Sequence, residues 1–164
     1  MYALAASCAL VLEITWLSHL GAGVPVDPLL VVVMSVGLLH GPEEGAVIGA
    51  GAGLLEDIMA GVPLGLGMLG GVAVGFCAGL GQRSINVDNV WLPGLAAAVL
   101  TLLRHAVWTG TAHVVGLLNA PLVEVAQVAV LAACYNGIVA VPVFHGFRRL
   151  DDALVKLYDR RRSA

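Results

Sequence analysis

Adjacent carboxylates at Glu56 and Asp57, an acid and a base at Glu13 and Arg104, and the series His105, Thr109 and His113 are the residues of this 164-residue chain whose types and spacing could do chemistry. Paired carboxylates can act as acid and base in hydrolysis. Neighbours on a helix point about 100° apart, however, and do not converge on one bond. Asp57 suits a structural task instead, as a solvated helix end or as a brace for the turn at Gly61 and Pro63, taking donors there or from a partner. Glu13 and Arg104 each fall about midway along an apolar run, where charges are costly and usually paired. They are expected to neutralise each other or to share a polar cavity, unless Arg104 snorkels to an interface. His105, Thr109 and His113 share a helix face at four-residue steps, but no third metal ligand or helical carboxylate accompanies the histidines. Polar core packing is their expected role. Ser7, Ser18 and Ser35 lack a base at hydrogen-bonding spacing, and no glycine-rich loop precedes a Lys-Ser or Lys-Thr. Cys8, Cys77 and Cys134 sit inside apolar runs and are expected to pack as small hydrophobes. Neither a metal, a cofactor nor an enzymatic activity is expected.

The elements that hold these residues must be apolar throughout. Hydrophobic residues make up 59% of the chain and charged residues 12%, about half the usual charged share, with a mean hydropathy of +0.93. Too few charges exist to solvate a water-facing surface or to track phosphates, which excludes a soluble domain, a disordered chain and a nucleic-acid binder. The chain reads as an all-α integral membrane protein. Turn residues divide it into six expected spans, at about 2–22, 28–40, 42–60, 64–81, 90–117 and 122–147. The second is short, and a re-entrant pairing of the second and third stays open. Pro42 followed by Glu43 and Glu44 has the composition of a helix first turn, where proline fits and acids meet the positive end of the dipole. The first stretch lacks a basic n-region and carries Glu13 within its apolar run, so a retained span is expected there and not a cleaved signal.

Charge sets the orientation. Residues 148–164 carry six bases and three acids, a net +3, whereas residues 1–147 carry two bases and eight acids, a net −6. Basic residues gather on the cytoplasmic side of span ends. Arg83 and the tail bases are separated by two crossings and so share a face, which puts both termini in the cytoplasm. Two regions are therefore expected: a six-helix membrane domain at 1–147 and a basic tail at 148–164. In the tail, residues 150, 153, 154, 157 and 158 are apolar at helical spacing, and Arg148, Arg149, Lys156, Arg160, Arg161 and Arg162 supply the charge. Such a segment lies along the inner leaflet, as an anchor or as a docking point for a cytoplasmic filament.

The most ordered feature is a pair of glycine ladders. Gly41, Gly45, Gly49 and Gly53 recur at every fourth position, lead through Glu56 and Asp57 to Gly61 and Gly65, and are followed by Gly67, Gly71, Gly75 and Gly79. Stripes of small residues let helix backbones approach closely in lipid. They either pack on one another within the chain or receive a single-span partner. In the second case Gly49→Leu should weaken partner association while leaving the protein inserted.

The run from Gly45 to Gly65, GAVIGAGAGLLEDIMAGVPLG, resembles the signature of the rod shape-determining protein MreD family in its Leu55-Glu56-Asp57, Gly61 and Leu64-Gly65 spacing. That resemblance covers residues 41–79 at the level of motif. It implies a non-enzymatic scaffold of the cell-wall elongation complex in the bacterial inner membrane. The partners it implies are a bitopic MreC-like protein, an MreB-like filament, a RodA-type polymerase and a class B penicillin-binding protein. It also implies a six-helix bundle similar to the S-component of vitamin transporters, and Asp57 matches the family's aspartate. A small-solute-binding subunit of an ECF-type vitamin transporter is the alternative, and it needs a polar, substrate-sized pocket open outward.

Overall fold

A computed structural model describes residues 27–82, 91–117 and 121–162. Among them are five helices and no strand: α1 (Pro28–His40), α2 (Pro42–Ala60), α3 (Leu66–Gly81), α4 (Leu92–Val114) and α5 (Leu122–Arg162). The expected first span and Glu13 lie outside the described residues, as does Arg83. Two stretches, Leu92–Val114 and Val123–Arg149, are long and apolar enough to cross a membrane.

Local chemistry accounts for the boundaries. Asp27 caps α1, its Oδ1 accepting from the Leu30 N–H at 2.8 Å, and Pro28 takes the first helical position. Pro42, Glu43 and Glu44 form the first turn of α2, as expected. Its end is Gly61, which adopts the left-handed conformation with φ 65° and returns its N–H to the Asp57 carbonyl. Gly65, with φ 114°, opens α3.

The short helix is the centre of the molecule. At 13 residues α1 rises only about 20 Å, less than the roughly 30 Å of a hydrocarbon core, yet every residue from Leu29 to Leu38 is buried. Helices α2, α3, α4 and α5 all contact it. Apolar side chains on every face, which leave no amphipathic stripe, suit this enclosed position. Its one hydroxyl, Ser35, is spent on the Val31 carbonyl at 2.7 Å.

Beside it, α2 and α3 form an antiparallel hairpin in which the two glycine ladders face each other. A Cβ on Gly45, Gly49 or Gly53 would collide with the backbone of Gly75, Gly71 or Gly67 respectively, and one on Gly79 would strike Pro42 and Gly41. A Cβ on Gly37 of α1 would stand 2.6 Å from the Gly75 oxygen, so the same stripe of α3 seats two helices. Gly94 of α4 and Gly137 of α5 repeat the device, with 2.7 Å from a Gly94 Cβ to the Gly137 carbonyl. Gly61 and Gly65 do not belong to these surfaces. Nothing stands within 4 Å of a Cβ at either, and both serve the turn.

Elsewhere large apolar residues point outward, among them Phe76, Leu95, Val99, Leu131 and Ile138. Cys77 and Cys134 join this outer surface and are not packed inside, because each falls on the side of its helix turned away from the neighbours. The basic tail continues the helix before it. Helix α5 runs unbroken from Leu122 through Pro142 to Arg162, so Lys156, Arg160, Arg161 and Arg162 lie on the last turns of that same helix.

Candidate functional site

One end of the bundle gathers the start of α1, the end of α2, the starts of α3 and α5 and the middle of α4 around a cleft of about 580 Å³. Its chemistry centres on Arg104, the thirteenth residue of the 23-residue α4. The Arg104 stem passes over Gly70 of α3, whose missing side chain leaves 3.3 Å between an ideal Cβ and Cγ. The guanidinium then pairs with two carboxylates at once, Nη1 donating to Asp27 Oδ2 and Nη2 to Glu56 Oε2. Arg104 and Asp27 are largely buried and Glu56 is half-buried. A fork of donors suits such bridging, and an ionic cluster turned toward a cavity avoids the cost of facing lipid. Snorkelling to the interface is thereby replaced by inward pairing.

Asp27 joins the cluster to α5. Its N–H donates to Asn136 Oδ1 at 2.8 Å, Asn136 Nδ2 donates to Thr101 Oγ1 at 3.1 Å, and Thr101 Oγ1 donates to the Ala97 carbonyl at 2.7 Å. Asn136 and Thr101 are fully buried, and each makes hydrogen bonds to other buried or part-buried groups. One connected polar network therefore ties α1, α2, α4 and α5 together.

Asp57 does separate work a residue away. It is 2% exposed, so it is no solvated helix end. Its Oδ2 accepts from the Gly65 N–H at 2.8 Å and its Oδ1 from the Gly67 N–H at 2.7 Å, with Met68 N–H at 3.4 Å from Oδ2. The carboxylate thus braces the loop and caps the N-terminus of α3, where the helix dipole favours an anion. At the C-terminal end of α2 the same charge looks misplaced, and only the position of the next helix reverses that judgement. Gly67 must lack a side chain here, since a Cβ would stand 2.7 Å from Asp57 Oδ1.

His105 and Thr109 line the cleft together with Trp108, whereas His113 is exposed and stands apart. Among the described residues no three His, Cys, Asp or Glu side chains are grouped to hold a metal ion. Glu124, on the first turn of α5, stands exposed at the same cleft. Asp27, Thr101, Glu124 and Asn136 are the residues that spacing did not single out. Asp27-Pro28 signals a helix start, and nothing in the sequence marks it as the counter-ion of a residue 77 positions away.

The sequence model of one family, described as rod shape-determining protein MreD, matches residues 3–150. No curated protein and no solved structure gave a match.

Proposed function

The chain belongs to the rod shape-determining protein MreD family, and from that premise we propose that it serves rod shape determination as a non-enzymatic membrane scaffold. The family match over residues 3–150 carries the reading. In this proposal the chain crosses the bacterial inner membrane six times, with both termini in the cytoplasm and a fold similar to that of S-components. A bitopic MreC-like protein is its direct partner, and through it the chain holds an MreB-like filament, a RodA-type polymerase and a class B penicillin-binding protein in one complex. The division at residue 147 is functional here: the membrane domain assembles, and the bases from Arg148 to Arg162 grip anionic lipid at about 1 kcal/mol each.

The glycines take a specific part in this reading. Because the Cβ sides of Gly45, Gly49, Gly53, Gly67, Gly71 and Gly75 are filled by one another's backbones, the ladders act as the seam of a rigid hairpin. The partner span then meets the outer surface of that hairpin. Gly49→Leu weakens partner association by splitting α2 from α3.

Affinity capture of the tagged chain from its native membrane after mild cross-linking, with bound proteins identified by mass spectrometry, tests the proposal. A bitopic periplasmic protein and wall synthases are the expected company; transporter ATPases in their place would overturn it. The second reading, a solute-binding subunit of an ECF-type vitamin transporter, draws support from one observation. The charged cleft has the volume of a small-molecule site.

A further inference from the structure

The cleft holds more acid than its ion pairs use. Among the described lining residues four carboxyl groups, those of Asp27, Glu56, Asp57 and Glu124, stand against the single guanidinium of Arg104. The Asp57 carboxylate is occupied by the N–H groups of Gly65 and Gly67 and by the positive end of α3. Arg104 is shared between Asp27 and Glu56, so one positive charge serves two acids. Glu124 has no ion-pair partner among the described residues. An acid surplus on the wall of a low-dielectric cavity draws cations and repels anions.

Size and composition narrow the class. At about 580 Å³ the cleft falls within the range of roughly 300–1,000 Å³ typical of small-molecule sites, and it combines apolar walls with a few polar groups as such sites do. Trp108 lends the same wall an aromatic surface, which attracts organic cations. A bare metal ion fits poorly, since no three ligating side chains are grouped among the described residues. A phosphate or carboxylate fits worse, because it would compete with two acids for one guanidinium.

We infer that this cleft binds the primary ammonium group of a small amine, presented either by a free solute or by the headgroup of an amino-lipid. The inference goes beyond the scaffold reading and does not rest on it, since capture of wall synthases and binding of an amine are separate measurements. The test uses the full chain in nanodiscs of phosphatidylglycerol. In one arm ethanolamine is titrated in, with ethylene glycol as the neutral control, and thermal unfolding is followed. In the other, phosphatidylethanolamine replaces part of the phosphatidylglycerol and no free amine is added. A saturable rise of the unfolding midpoint in the first arm assigns a soluble amine, and a rise in the second assigns the lipid headgroup. Glu124→Gln, exposed and outside the packed core, should weaken the response roughly tenfold, as expected for one lost charge-assisted hydrogen bond. Trp108→Leu gives a second, independent loss. No rise in either arm, or an equal rise in wild type and Glu124→Gln, overturns the inference.

Discussion

Asp57 and Arg104 show how a charge deep in an apolar protein is made tolerable, by different means. Asp57 takes backbone donors from the start of α3, so its replacement by Asn leaves one N–H facing an amide group that cannot accept it. Asp57→Asn should cost about 1–3 kcal/mol and lower the unfolding midpoint in detergent. Arg104 is instead the single described cation between two acids, and Arg104→Met strands both Asp27 and Glu56. That substitution should cost about 3–5 kcal/mol and deplete the inserted protein, whereas adding Asp27→Asn and Glu56→Gln should restore much of the level, since neutral groups bury more cheaply than unpaired charges. Quantitative blotting of membrane fractions reads the difference. The need for a partner to Arg104 was legible from its depth alone. Asp27 and Glu56 were not legible as its partners, because that pairing depends on where the start of α1 and the end of α2 meet the side of α4. Glu13 lies outside the described residues, so its expected pairing with Arg104 stays a proposal beside the two that are seen.

At the scale of elements, the α2 and α3 hairpin offers a sharp contrast between glycines two residues apart. A Cβ on Gly49 runs into the Gly71 backbone, while one on Gly51 meets nothing within 4 Å. Gly49→Ala should therefore force the helices apart and lower the unfolding midpoint markedly. Gly51→Ala should be neutral or stabilising by about 0.5–1 kcal/mol, through lost backbone freedom in the unfolded chain. Paired melts of the two variants check this. The ladders themselves, the start of α2 at Pro42 and its end at Ala60 were all legible, because proline, acids and glycine act locally. Which ladder meets which was not, since a stripe of small residues states that something approaches and leaves its identity open. The centrality of α1 was equally hidden: its short length pointed to a weak element, and only the four helices around it turn that brevity into burial.

For the molecule as a whole, the orientation proposed from the positive charges can be read chemically. With Cys8, Cys77 and Cys134 replaced, a cysteine at Val62 should react with an impermeant maleimide added to intact cells, and one at Ser163 should react only after the membrane is opened. The reverse pattern would invert the topology. A longer-range consequence comes from the 109-residue separation between Asp27 and Asn136, whose hydrogen bond joins the start of α1 to the middle of α5. During synthesis α2 can fold onto α3 as soon as both have emerged, since their contacts are local. Among the described residues the polar end of α1 has no such early companion: Arg104 is made later, and Asn136 later still. Because Arg104 follows Asp27 and Glu56 in the sequence and Asn136 follows Arg104, the described network closes only once α5 is present. The last helix is thus the element that completes the described network.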